Sequence, residues 1–385
     1  MKLYVLFTGL ISEKQLSGGD QLFLDLAPRL PKKIELVVIT PRFAKNHWKS
    51  TEKKEIKFKY LKNNIFDSRK HLVFIFLSYL IRTWQTYQIL KKAKSIDAIY
   101  SCSDVAYADI WPAFLICQGR SEIKWITRIY HVLVNPTKRH GNKFVNFTAF
   151  YLQRFSFFLI KKRSNHILAL NNKLKKELLN LNFPKNRMGI LGAGVEFRKI
   201  NKFKATEKFN FDAVVLARIA PVKGIYDMVK IWKLVHKSNP KWKLAWIGSG
   251  GGYERKLKSK IKENGLENSF CLLGYLKKEK IINIFKSSKV FLCTDHENGW
   301  GLAISEAMAA GLPVVSFNID IFGGLYKKGF ISVPLHNTQK FAEETIKLLD
   351  NENLRKKLAK AAILQSSVFD LDEVAKTLVS YLKLS

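Results

Sequence analysis

A chain of 385 residues with 47% hydrophobic content is globular, and it is longer than one ordinary core accommodates, so two domains are expected. Sixty-six Lys and Arg against 31 Asp and Glu give a formal charge of +35. That balance disfavours cationic partners and points to anionic ones: nucleotide phosphates, anionic lipid or nucleic acid.

The first predicted strand is "LYVLFTG" (3–9). Its apolar start has the look of a signal peptide, but Glu13 and Lys14 follow at once with no small-residue cleavage site, so it reads as a buried strand. "SGGDQ" (17–21) then opens a helix over 19–29. Gly18 and Gly19 let the backbone approach a ligand, and a helix start offers N–H groups to an anion. Further strands are predicted at 34–40, 98–102, 124–131 and 166–170, and helices at about 71–95, 105–118, 143–162 and 172–181. The longest apolar run, "HLVFIFLSYLI" (71–81), is about half a membrane span, so no transmembrane helix is predicted.

Residues 1–196 hold 34 basic and 13 acidic side chains, so the positive excess is denser in the first half. From Ile123 to Lys176 twelve Lys or Arg stand against no acid. Within that stretch, "NKFVNFTAFYLQRFSFFLIKKR" (142–163) carries seven aromatics and a basic end. It reads either as a helix lying in an anionic membrane surface or as a core helix with a solvated basic end.

The second half repeats the alternation, with strands at 212–218, 243–248, 269–274, 290–294, 313–317 and 330–334. Helices fall at about 224–237, 253–263, 277–286, 302–310, 338–350, 352–365 and 371–383. Two such series predict an α/β fold of two Rossmann-like, doubly wound parallel sheets facing a central cleft. The glycines of "GAGVEF" (192–197) mark the boundary, giving domains 1–195 and 196–368, with the last helix (369–385) free to cross back to the first. Ligands are expected beyond the carboxyl ends of the strands. Cys102, Cys117, Cys271 and Cys293 form no C-x-x-C pair, which fits a reducing cytoplasm and leaves neither a zinc site nor a disulfide framework.

Three loops of the second half invite chemistry. "ARIAPVKG" (217–224) places Arg218 at a strand end and Lys223 before a helix, a pairing that suits a diphosphate. "IGSGGGYERKL" (247–257) has Tyr253 where a dinucleotide fingerprint needs glycine, so it reads as a glycine-rich turn. "HENGWGLAISEAMAAGLPVV" (296–315) sets Gly299 and Gly301 at a helix N-terminus, carries Glu306 about one and a half turns in, and stops at Gly311. A carboxylate there can accept hydrogen bonds from a diol such as ribose.

"ARIAPVKG" with "NGWGLAISEAMAAGLPVV" resembles the GT-B glycosyltransferases, specifically the retaining family 4, over most of the chain and most strongly from 212 to 335. The resemblance implies a retaining, metal-independent transfer of a sugar from a nucleotide diphosphate-sugar to an acceptor hydroxyl. No cofactor is implied. Arg218 and Lys223 would bind the diphosphate, and Glu306 the ribose. Backbone groups around Gly299, Trp300, Gly301 and Leu302 would meet the sugar or phosphate, and Leu273 and Gly274 the base. Gly18 and Gly19 would close on the donor, and His131 would be directed at the transferred sugar. The family carries two glutamates eight positions apart, whereas here Asn298 stands eight before Glu306. Either Asn298 faces the sugar or the loop shifts and Glu297 does. The acceptor is expected to be a glycan or lipid-linked saccharide, and the chain cytoplasmic and peripheral on the inner face of the cell membrane. A basic nucleic-acid-binding protein and a catalytically inactive GT-B module are the alternatives. No recognition motif for nucleic acid is present, so no nucleic-acid partner is expected.

Overall fold

The computed structural model describes residues 1–10, 18–51, 55–67, 72–104, 107–138, 142–250, 252–297 and 299–383. The chain divides into two compact units, Met1–Ala193 with Leu371–Ser385, and Gly194–Asp370.

The first unit contains strands β1 (Lys2–Leu6), β2 (Glu35–Pro41), β3 (Ile56–Leu61), β4 (Ala98–Ser101), β5 (Lys124–Ile129), β6 (His166–Ala169) and β7 (Met188–Ile190). Its helices are α1 (Gly18–Leu26), α2 (Leu72–Lys92), α3 (Tyr107–Gly119), α4 (Lys143–Arg163) and α5 (Asn172–Asn180). All seven strands are parallel, in the order β3-β2-β1-β4-β5-β6-β7, with Leu3 of β1 opposite Leu36 on one side and Ala98 on the other. The apolar runs of β1 and β2 are buried because helices cover the sheet.

The second unit holds α6 (Phe197–Lys202), β8 (Ala213–Leu216), α7 (Ile225–Ser238), β9 (Leu244–Ile247), α8 (Glu254–Glu263), β10 (Phe270–Gly274) and α9 (Lys278–Ser287). It continues with β11 (Val290–Cys293), α10 (Leu302–Ala309), β12 (Val314–Phe317), α11 (Asp320–Leu325), β13 (Phe330–Val333), α12 (Thr338–Asp350) and α13 (Glu352–Ser367). Its six parallel strands run β10-β9-β8-β11-β12-β13. Period-two alternation feeds two cores at once: Val290 and Leu292 of β11 face one, Phe291 and Cys293 the other.

The last helix, α14 (Leu371–Lys383), belongs to the first unit. Leu371, Ala375, Leu378 and Leu382 join its core, and the Tyr381 hydroxyl accepts the Ile190 amide at 3.2 Å. An ion pair between Arg29 and Asp372 adds to the docking.

Among the described strands and α-helices, four lie outside the predicted set. β3, "IKFKYL", alternates lysine with apolar residues at the sheet edge, where charged side chains guard an open ladder. β7 is three residues long, and α6 and α11 are six each, too short for a periodic signal. Strand ends also fall earlier than predicted. Arg218 lies two residues beyond β8, and His131 two beyond β5, the fifth strand and not the fourth.

Candidate functional site

In the second unit the loops after the central strands β8 and β11 are locked together by the backbone. Gly224 sits at φ 64°, and a Cβ there would meet the Thr294 carbonyl oxygen at 2.1 Å, so only glycine lets α7 begin this close to the end of β11. The Thr294 hydroxyl donates to the Lys223 carbonyl at 2.9 Å, and the His296 amide donates to the Val222 carbonyl at 2.9 Å. The loop that carries Glu297 is thereby stitched to the loop that carries Lys223.

Lys223 does not project alone. Its Nζ donates to Asp295 Oδ2 at 2.7 Å, with the two side chains only 16% and 6% exposed, and also approaches the Glu297 carbonyl at 3.5 Å. Asp295 is a residue the sequence reading missed. The available signal was an acid placed directly after a buried strand end, in "VFLCTDHENG". Arg218 is exposed. It is not among the residues lining a small cavity of about 60 Å³, which Ala217, Lys223, Cys293, Asp295, Gly301 and Ile304 help to enclose.

α10 starts from Gly301, which holds φ 85° and on which a Cβ would lie 2.8 Å from the Phe322 ring. Trp300 is buried, its ring edge-on to Phe369 with centroids 5.5 Å apart. The Tyr326 hydroxyl donates to the carbonyls of Trp300 and Gly301 at 3.2 and 3.0 Å and pairs with the Ser305 hydroxyl at 2.7 Å. The turn is therefore held from beneath through its carbonyls, and the Ile304 and Ser305 amides donate to the Gly301 carbonyl at 2.9 and 3.2 Å, while Leu302 and Ala303 begin the helix ahead of any intrahelical acceptor. Gly299 and Glu297 are exposed, and Asn298 lies outside the described residues.

Glu306 is ion-paired with Lys278, the first residue of α9, the more exposed partner of the two. Sequence reasoning did not anticipate this partner. Leu273 is half-buried and Gly274 closes β10, where its carbonyl accepts the Gly248 amide at 2.8 Å. The glycine-rich turn at 248–250 lays bare backbone against the loop after β8, since a Cβ on Gly248 or Gly250 would meet the carbonyl oxygen of Ala217 or Ile219 at 2.1 Å.

Gly18, Gly19 and His131 belong to the first unit. A Cβ on Gly19 would lie 2.5 Å from the Tyr130 ring, whose hydroxyl donates to the Gly19 carbonyl at 3.0 Å. His131 is exposed, and its carbonyl accepts Gln153 Nε2 at 2.9 Å. The same Nε2 donates to Asp104 Oδ2 at 2.9 Å. Burial pushes the Asp104 carboxyl up to about 6 against the opposing pull of His131 and the Gln153 hydrogen bond. This carboxyl, next to His131, is a further residue that the sequence reading missed.

α4 buries Phe157, Leu159 and Ile160 together with polar side chains. Asn146, Gln153 and Ser156 are buried, whereas Phe144, Phe147, Tyr151, Phe155 and Phe158 are exposed, Phe144 by 68%. Trp111 of α3, itself exposed, packs edge-on against Phe155 at 5.7 Å. Among the described residues no helix is long and apolar enough to cross a membrane.

Residues 195–365 match the family model described as glycosyl transferases group 1. The chain is 30% identical over 157 residues to the poly(glycerol-phosphate) alpha-glucosyltransferase of Bacillus subtilis, a match covering 40% of this chain and 23% of that protein. It is 24% identical over 168 residues to the alpha-monoglucosyldiacylglycerol synthase of Acholeplasma laidlawii, covering 43% and 42%. The chain thus spans less than half the length of either relative. Among solved structures, Anabaena Alr3699/HepE in complex with UDP and glucose superposes with a TM-score of 0.72 at 16% identity, covering 99% of this chain and 98% of that one.

Proposed function

Since residues 195–365 match the glycosyl transferases group 1 model and the chain has the two Rossmann-like domains of the GT-B fold, we propose that it transfers a sugar from a nucleotide diphosphate-sugar to an acceptor hydroxyl, with retention at the anomeric carbon. The observation that carries this reading is Lys223, held by Asp295 on a glycine-locked loop beside the N-terminus of α10.

When the anomeric bond breaks, negative charge grows on the diphosphate oxygen. Lys223 supplies a fixed point charge and Arg218 a fork for two oxygens, while the first turn of α10 adds amide donors. Asp295 orients the lysine in advance, so little reorganisation accompanies the step. Glu306 accepts the ribose hydroxyls and shares its charge with Lys278. Leu273 and Gly274 meet the base. Asn298 or Glu297 meets the sugar hydroxyls. Gly18, Gly19 and His131 keep the roles that the resemblance implies, with Asp104 as the partner of His131. The leaving phosphate takes the acceptor's proton on the face it departs from, so the reaction needs neither a second nucleophilic carboxylate nor a metal cofactor.

The acceptor is proposed to be a glycan or lipid-linked saccharide, reached at the cytoplasmic face of a membrane. The aromatic outer face of α4, in a stretch without acids, supports that placement by burying rings among anionic headgroups. The relatives' names, a poly(glycerol-phosphate) glucosyltransferase and a glucosyldiacylglycerol synthase, agree with it. The test is release of nucleoside diphosphate from a panel of UDP-, GDP- and ADP-sugars by the purified protein. Undiminished turnover in Lys223→Ala and Arg218→Ala sinks the assignment.

A further inference from the structure

Three side chains from distant stretches meet on the second unit: Asp227 in the first turn of α7, His296 after β11, and His336 between β13 and α12. Asp227 Oδ2 lies 2.7 Å from His296 Nε2 and 3.4 Å from His336 Nδ1, and the three donor atoms all lie within 4.8 Å of one another. The two imidazoles meet edge-on with centroids 4.5 Å apart, and the Phe317 ring backs both at 6.3 and 6.2 Å. His336 holds a left-handed backbone, φ 63°, a conformation that only Asn182 shares among the described non-glycine residues.

We propose that Asp227, His296 and His336 bind one divalent transition-metal ion of the zinc class. Two imidazole nitrogens and one carboxylate oxygen form a borderline ligand set that suits zinc and its neighbours and not magnesium or calcium. A tetrahedral ion with bonds of about 2.0–2.2 Å sets its ligands roughly 3.3–3.5 Å apart. The 3.4 Å pair already meets that spacing, and the 2.7 Å pair needs to open only slightly. Phe317 closes the inner side. His336, its side chain 59% exposed, leaves an entry path and a fourth position for water.

The ion's effect is positional. His296 neighbours Asp295, which holds Lys223, and Glu297. Its amide is bonded to Val222. A metal at His296 ties this loop to α7 and to the turn before α12, and so restrains the segment that carries Lys223 and Glu297. The ion makes no contact with a sugar nucleotide, and the inference stands independently of the transfer reaction. Both imidazoles must be neutral to ligate, so binding releases protons and weakens on acidification.

Metal-stripped full-length protein titrated with Zn²⁺ by calorimetry near neutral pH, with Co²⁺ absorption as a second readout, tests the site. One equivalent should bind and give the visible absorption of four-coordinate cobalt, with affinity falling on acidification because protons compete for the ligands. His296→Ala, Asp227→Asn and His336→Gly should each weaken binding at least about tenfold, as the loss of one of three ligands requires. Glycine accepts the left-handed backbone at 336, so His336→Gly should keep its zinc-free melting temperature while losing the zinc-dependent rise. The absence of saturable binding, or binding undiminished in either His296→Ala or His336→Gly, overturns the proposal.

Discussion

The Lys223–Asp295 pair separates a catalytic from a structural reading of the site. Both side chains are largely buried, so removing one partner costs the other an opposite charge: Asp295→Asn leaves a lysine ammonium with a neutral acceptor, and Lys223→Met takes the cation away from a carboxylate at 6% exposure. Breaking a buried pair costs about 3–5 kcal/mol, and the partial exposure of Lys223 brings the expected loss for Asp295→Asn to about 2 kcal/mol. The double variant Lys223→Met/Asp295→Asn removes both charges and should be less destabilised than the sum of its parts by about 1–3 kcal/mol. Activity should behave differently. If Lys223 stabilises the leaving diphosphate, kcat falls by about two to three orders of magnitude in every variant that lacks it, the double included. Asp295→Asn keeps the cation but loosens its aim and should lose roughly tenfold. Urea unfolding of the four proteins gives the coupling, and nucleoside diphosphate release gives kcat. Additive stabilities together with wild-type turnover in Asp295→Asn would refute the argument that Asp295 positions the lysine.

Other consequences are open to measurement. Gly301→Ala forces a side chain onto φ 85° and against Phe322, and should cost about 2–4 kcal/mol in denaturant unfolding. Asp109, buried in α3, accepts the Thr8 hydroxyl and amide at 2.5 and 3.0 Å, and burial raises its carboxyl to about 8. A raised folded value means the folded state holds the proton more tightly: its stabilisation is complete below the unfolded value of about 3.9 and is lost as pH rises through about 8. Asp109→Asn should therefore flatten the decline in stability between those limits, read by thermal melts across pH. Replacing Tyr151, Phe155 and Phe158 together by serine should reduce flotation with anionic liposomes severalfold and leave hydrolysis of the free donor unchanged. Equal flotation of the two proteins would dismiss the outer face of α4 as a membrane contact.

Backbone demands were the legible part of this molecule. Gly301 stands out in the sequence as a glycine at a helix start, and the structure has it, and Gly224 with it, at positive φ. Strands of uniform apolar residues were equally plain, since a sheet covered on both faces needs them. What stayed hidden was pairing across distance. Lys223 and Asp295 are 72 positions apart, Glu306 and Lys278 28, and Asp104 and Gln153 49. No local pattern announces which cation an acid will meet.

α4 was legible in part for a different reason. Its composition states how many aromatics it carries but not which face the neighbours take. Polar Gln153 is claimed by Leu133, His131 and Asp104, all of which require its amide inside, and that requirement turns Phe144, Phe147, Phe155 and Phe158 outward. The exposure of the rings is thus a consequence of satisfying buried polar groups next to His131. Gln153→Leu should release that constraint: it leaves the Leu133 amide without its side-chain acceptor and removes one of the hydrogen bonds to the Asp104 carboxylate, at about 1–3 kcal/mol each. Such a change should disturb the segment around His131 and the presentation of the α4 aromatics together. The two effects share one cause if activity and liposome binding fall in parallel in that variant, and they have separate causes if only one of them moves.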